Sequence, residues 1–298
     1  MAVPEQVPGS GTWKLRDSQI SLLRPVVMGI LNVTPDSFSD GGRYPTLDSA
    51  VECGRQMAAD GASIVDVGGE STRPGAAAVS VNEELERVAP IVERLATDGI
   101  TVSVDTSKPE VARAVVCSGA AIINDVTGLG NPAMRSVCAE TGVGVVIMHM
   151  QGIPRTMQHQ PHYADVVAEV SAYLTEHAEA AVRSGISRGS VIIDPGIGFG
   201  KAFDHNLELM ANLDAFVETG YPVLLGTSRK AFLGKILEPI RGRTAPDERD
   251  GATAASIALA VAAGVKILRV HNVPLAVEVA HTVKAMVPGD DGEETNRA

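Results

Sequence analysis

The sequence predicts a single-domain (β/α)8 barrel, in which eight parallel strands alternate with helices around one core. Three observations carry the prediction. Eight short runs rich in Val and Ile recur along the 298 residues, at 25–33, 64–70, 101–106, 121–127, 144–150, 191–196, 222–227 and 266–273. Most lack the apolar/polar alternation of a half-exposed strand, as expected of strands covered on both faces in a parallel sheet. Helical stretches separate the runs, and no G-x-G-x-x-G follows the first one, which argues against a doubly wound open sheet.

Taken in order, residues 13–23 are short and mixed, and suit a hairpin that plugs the bottom of the barrel. The first helical stretch is 48–60. In the second, 82–97, Leu85, Val88, Val92 and Leu95 fall on one face with charges opposite, and Ser80 and Glu83 have capping-box spacing. Pro109 sits in the first turn of the third, and Asn131 followed by Pro132 reads as an N-cap and first helical position of the fourth. Stretches 163–183, 204–219, 250–263 and 274–286 bring the helices to eight. Segment 238–249, charged and carrying two prolines, reads as the longest non-helical connection. The barrel is expected to span 13–287, with a flexible start at 1–12 and a disordered acidic tail at 288–298.

A net charge of −11 argues against a broad nucleic-acid footprint, which needs a basic face. A local cluster of Arg and Lys can still hold an anionic ligand. Cys53, Cys117 and Cys138 have no zinc-site spacing and are odd in number, so small buried side chains in a reducing compartment are expected. The chain does not start with a basic-then-apolar leader and has no apolar run of membrane-spanning length. A cytoplasmic protein is expected.

Barrels of this class keep their chemistry at the carboxyl ends of the strands. Here the runs end in Asn32; in Glu70, with Thr72 and Arg73 beyond; in Asp105; in Asn124 and Asp125; in His149; in Asp194; in Ser228, Arg229 and Lys230; and in Arg269 and His271. Any one of these suits an ordinary polar strand end, but so many charges recurring at one end indicate a convergent polar mouth. Side-chain parity turns Asp125 and Arg229 away from it, as structural ion-pair members. Asp105, Asn124, Asp194 and Lys230 suit a flat heterocycle with an aminopyrimidine edge, since a carboxylate accepts two N–H bonds side by side. Asn32, Arg269 and His271 suit an oxyanion, because the first and eighth strands are neighbours in a closed barrel.

Eight segments then resemble the signature motifs of dihydropteroate synthase, a pterin-binding barrel family. They are MGILNVTPDSFSDGG (28–42), VDVGGESTRPG (65–75), SVDTSKPEVA (103–112), INDVTG (123–128), IMHMQGIPRTM (147–157), IIDPGIGFGK (192–201), TSRKAFLG (227–234) and RVH (269–271). They occur in order from the first strand to the last. The resemblance implies condensation of 6-hydroxymethyl-7,8-dihydropterin pyrophosphate with p-aminobenzoate, giving 7,8-dihydropteroate and pyrophosphate. It implies that Asp105, Asn124, Asp194 and Lys230 hold the pterin, with Met148 and Phe199 against its faces. Asn32, Arg269 and His271 would receive the pyrophosphate, with Mg2+ at Asn32. Asn32, Asp105, Lys230, Arg269 and His271 are thus the expected catalytic set. Phe38 and Asp40 on one loop, and Thr72, Arg73 and Pro74 on another, would close over the substrates and shape the p-aminobenzoate pocket. His149 is expected to pack or hydrogen-bond, not to act as a base.

The same resemblance implies C–O cleavage before C–N formation, competition by sulfonamides, and a homodimer packed through late helices. Two positions depart from the family pattern: Ala231 replaces a common hydroxyl residue, and Asn272 a common aspartate. Little effect on turnover is expected from Asn272. A non-catalytic pterin-binding paralogue and a pterin-dependent methyltransferase are the alternatives. Both fit less well, because the two loop motifs and the Arg269/His271 pair are all present.

Overall fold

The computed structural model of the protein describes residues 11–34, 46–72 and 75–287. A two-stranded antiparallel hairpin comes first, β1 (Thr12–Lys14) with β2 (Gln19–Ser21). Eight parallel strands follow: β3 (Val26–Asn32), β4 (Ile64–Gly68), β5 (Val102–Asp105), β6 (Ile122–Asp125), β7 (Gly144–Met148), β8 (Val191–Asp194), β9 (Leu224–Leu225) and β10 (Ile267–Val270). Their order in the sheet is β8-β7-β6-β5-β4-β3-β10-β9. Ile193 N donates to Pro222 O at 3.1 Å, and a parallel bridge between Ile193 and Val223 closes the barrel.

The inner and outer faces follow from strand parity. Val27, Val65, Val67, Val104, Ile123, Val145, Ile147, Ile193 and Leu268 point outward into the main core beneath the helices. Val26, Met28, Ile64, Ile122, Val146, Ile192, Leu224 and Ile267 point inward and form a second, separate core with Trp13, Leu15 and Leu22 of the hairpin segment. The hairpin therefore plugs the barrel bottom. Trp13 is fully buried, and its indole Nε1 donates to Ser190 O at 2.9 Å. Gly144 opens β7 because a Cβ there would meet Leu15 at 2.5 Å.

Around the barrel lie α1 (Leu47–Ala59), α2 (Val81–Thr97), α3 (Pro109–Cys117), α4 (Pro132–Thr141), α5 (Val166–Arg183), α6 (Phe203–Ala211), α7 (Leu213–Val217), α8 (Ala231–Arg241), α9 (Asp250–Ala262) and α10 (Val273–Met286). Ser80 and Asn131 cap α2 and α4, accepting from Glu83 N at 3.2 Å and Ala133 N at 2.9 Å. Glu83 does not complete a capping box; its carboxylate pairs with Arg87.

Four expectations need correction. The stretch 204–219 is two helices, broken at Asn212, whose φ of −127 leaves the helical region. Helix α8 stands outside the eight helical stretches counted from the sequence; Pro239 lies near its end, and it stops at Gly242 with φ 69. The segment 238–249 is accordingly short of the longest connection, and among the described residues 149–165 between β7 and α5 exceeds it. Of the cysteines only Cys138 is buried, Cys53 being half-buried and Cys117 exposed.

Candidate active site

Above the dry bottom layer, the inward positions change character. Asp66 of β4, Asn124 of β6, Met148 of β7, Asp194 of β8 and Arg269 of β10 occupy the next turn, with Asp105 at the end of β5. Asp105, Asn124, Asp194 and Met148 are all buried. Arg269 ties the wall together: its Nε donates to Asp66 Oδ2 at 2.6 Å and its Nη2 to Asp105 Oδ2 at 2.9 Å. Asn124 Nδ2 donates to the same Asp66 oxygen at 3.1 Å.

Burial pushes the Asp105 carboxyl up to about 7, against the pull of Arg269 and with the repulsion of Asp66. Asp194 is also raised, by burial first, while Lys230 and the Gly196 N–H, 2.7 Å from its Oδ1, oppose the rise. Burial lowers Lys230 to about 8, partly offset by Asp194. The Lys230 ammonium donates to Ile197 O and lies 4.6 Å from the centre of the Phe199 ring, a cation–π contact. Burial would lower Arg269, but Asp66 and Asp105 hold it above its ordinary value.

At the rim, His271 Nδ1 lies 2.9 Å from Ser228 Oγ, which joins the end of β10 to the loop after β9. Asn32 ends β3, the strand between β10 and β4, and is the register partner of Gly68, with its Oδ1 over that glycine. Thr72 is half-buried beyond β4, and Glu70 anchors the base of its loop by accepting from Val79 N at 3.2 Å and pairing with Lys108. Phe38, Asp40, Arg73 and Pro74 lie outside the described residues.

The ring set and the anion set are therefore brought to one end of the barrel, but not as two separate groups. Arg269, assigned to the anion, is bonded to Asp105, assigned to the ring. Arg229 faces away as expected and pairs with Asp250 at 2.9 Å. Asp125 also faces away, but it caps a turn rather than forming an ion pair, accepting from Thr127 N at 2.8 Å and Leu129 N at 3.2 Å. Asn272 caps α10 and donates to Asp250 Oδ2 at 2.8 Å, so the departure at this position is absorbed outside the pocket.

Two buried charged residues beside the pocket, Asp66 and Lys201, were not singled out from the sequence. Asp66 sits inside a Val-rich run, and the signal was there: an acid of inward parity in an otherwise apolar strand must be paired. Lys201 ends a glycine-rich loop where parity gives no guide. Its Nζ is 2.8 Å from His149 Nδ1 and donates to Phe199 O at 3.0 Å, clasping the loop after β8 to the end of β7. Burial drives Lys201 well below its ordinary value. Burial and the Lys201 charge lower His149 to about 3. His149 also packs edge-on against Tyr173, with centroids 4.8 Å apart.

Comparison with known proteins agrees with the barrel fold and with the family resemblance. The model of the pterin binding enzyme family matches residues 28–271. Dihydropteroate synthase of Escherichia coli K12 is 46% identical over 277 residues, 93% of this chain and 96% of that protein. The solved structure of Xanthomonas albilineans dihydropteroate synthase with 4-aminobenzoic acid superposes with a TM-score of 0.86 at 46% identity, covering 93% of this chain and 98% of that one. That of the Yersinia pestis enzyme in a sulfonamide drug complex gives 0.86 at 42%, covering 92% and 98%.

Proposed function

The chain belongs to the pterin-binding enzyme family; it is a transferase that carries out the dihydropteroate synthase reaction, and we propose that it does so in one pocket at the carboxyl end of the barrel, gripping a pterin ring and its pyrophosphate side by side. The observation that carries the reading is the convergence of buried Asp105, Asn124 and Asp194 with half-buried Lys230 and Arg269 above an apolar plug. Asp105 and Asp194 accept from the N–H edge of the pterin, Asn124 and Lys230 complete its polar contacts, and Met148 and Phe199 cover its faces. Arg269 and His271 take the pyrophosphate.

C–O cleavage puts positive charge on the pterin and negative charge on the leaving group. A cation forming beside Asp105 and Asp194 relieves the cost of holding those carboxylates out of water, and Arg269 stabilises the departing anion. The arylamine nitrogen then attacks carbon and gives up one N–H proton to solvent or to the departing pyrophosphate, with no strong base required. His149 does not serve as one, since its Nδ1 is occupied by Lys201. The p-aminobenzoate carboxylate is taken by first-turn N–H groups of α8, whose N-cap is Lys230, without help from a hydroxyl at Ala231.

Among the described residues no cluster of three or more His, Cys, Asp or Glu could cage a metal. A hard Mg2+ retains water and draws on substrate phosphate oxygens, so the single amide oxygen of Asn32 beside the anion end is a fitting donor. When bound, Mg2+ neutralises charge on the leaving pyrophosphate. On the p-aminobenzoate side the described residue is Thr72, half-buried beyond β4, and sulfonamides compete there. Ile236 and Ile240 of α8, Leu259 of α9 and Met286 of α10 are exposed, Ile240 to 77%, which favours a homodimer through these helices. No described helix is long and apolar enough to cross a membrane, and we place the enzyme in the cytoplasm. The test is pyrophosphate release from the pterin substrate: it should require p-aminobenzoate. Folded protein that binds both substrates without releasing pyrophosphate would favour a binding paralogue instead.

A further inference from the structure

Asp66 has a position unlike that of any other acid in the barrel. It lies mid-strand on β4, one inward step above Ile64 of the apolar plug and one below Gly68 at the mouth. Its side chain is 0% exposed. Both hydrogen bonds that it makes among the described residues go to pocket residues, through one oxygen: Arg269 Nε at 2.6 Å and Asn124 Nδ2 at 3.1 Å. Its other oxygen finds no partner among the described residues.

Each contact settles an orientation. An Asn side chain can present either its amide oxygen or its NH2 group to a ligand, and the choice is set by its fixed partner. With Nδ2 turned to Asp66, Asn124 keeps its oxygen for the pocket. An Arg side chain held at Nε has its guanidinium plane fixed, leaving the outer nitrogens to reach upward, as Nη2 does to Asp105. We propose that Asp66 is the positioning residue of this pocket, a single buried carboxylate that sets both the amide of Asn124 for the ring and the guanidinium of Arg269 for the anion. It touches neither ligand. It couples the two halves of substrate recognition from below, so neither half can be perturbed at Asp66 without the other. The inference rests on the pocket reading given above.

The test uses Asp66→Asn in the full chain, with calorimetry of 6-hydroxymethyl-7,8-dihydropterin and of its pyrophosphate, and steady-state kinetics. Loss of one charge-assisted bond on each side should weaken the bare pterin by about tenfold and the pyrophosphate by more. KM for p-aminobenzoate should stay within about twofold, a split that general loosening of the barrel would not produce. In an Arg269→Met background, the further loss on adding Asp66→Asn should shrink, for the pyrophosphate, to that seen with the bare pterin. Wild-type affinities in folded Asp66→Asn, or losses that add in full in the double variant, would overturn the proposal. If the single variant does not fold, Asp66→Asn with Arg269→Met, which removes both charges of the pair and strands neither, is compared with Arg269→Met alone. A further loss of bare-pterin affinity supports the role at Asn124, and equal affinities overturn it. Wild-type protein that binds neither ligand would overturn the pocket reading itself, and this proposal with it.

Discussion

The two ends of the barrel interior are built from the same strands at the same parity, yet they do opposite things. At the bottom, Ile64, Ile122, Val146, Ile192, Leu224 and Ile267 pack on Trp13, Leu15 and Leu22 with no charge among them. Two residues further along β4, β6, β8 and β10, the inward positions become Asp66, Asn124, Asp194 and Arg269. The bottom gains stability from every side chain that it buries. The mouth holds acids raised by burial and a lysine lowered by it, a standing cost that only ligands of matching charge relieve. Stability and chemistry are thus separated by about two residues of strand, roughly 7 Å measured along the strand.

Variants can break this division. Trp13→Ala should cost about 3–5 kcal/mol of folding stability, measured by denaturant unfolding, with kcat/KM at low temperature unchanged within about twofold. Lys230→Met should do the reverse, lowering kcat/KM for the pterin pyrophosphate by about 10²–10³ through loss of a buried charge contact at the reacting ligand. Thermal unfolding should show that this variant is no less stable, since the ammonium is held against burial. A Trp13 variant that lost activity while folded would show that plug and pocket are one unit.

The mouth should also respond to pH where the bottom cannot. Asp105 accepts two N–H bonds side by side only when ionised, so binding of the pterin weakens as pH falls through about 7. Lys230 donates only when protonated, so binding weakens again as pH rises through about 8. Pterin affinity should therefore peak between these values, and His149, lowered to about 3, should not shape the profile. Asp105→Asn should move the acid limb away from about 7, leaving only that of Asp194, and keep the alkaline one. The smallest effect is expected at Asn272→Asp. Asp250, which Asn272 contacts, is already held by Arg229 outside the pocket, so kcat/KM should change by less than about threefold.

How much of this was legible depended on the kind of signal. Strands were readable because burial on both faces leaves uninterrupted Val and Ile, as in residues 191–193. Trp13 hinted at the plug, but only coordinates show it seated against Gly144 and Ser190. The charge and two prolines of 238–249 marked a loop, yet α8 runs on to Arg241, because a proline is tolerated where the helix stops soon after. The pocket was readable where a polar residue ended an apolar run, as at Asp105, Asp194 and Arg269. It was unreadable where the partner decides the role. Nothing in the order of residues says that Arg269 reaches back to Asp66, 203 positions away in the chain, or that Lys201 folds onto His149.

The most direct test of the shared pocket is calorimetry of Arg269→Ala with two ligands, the bare hydroxymethyl dihydropterin and its pyrophosphate. The account predicts that affinity for the pyrophosphate falls by about 100-fold or more, as for a lost charge-assisted contact, while the bare pterin loses about tenfold or less through Asp105. Equal losses for both ligands would contradict it, because Arg269 would then serve only to hold the ring-binding wall and the anion would have to bind elsewhere.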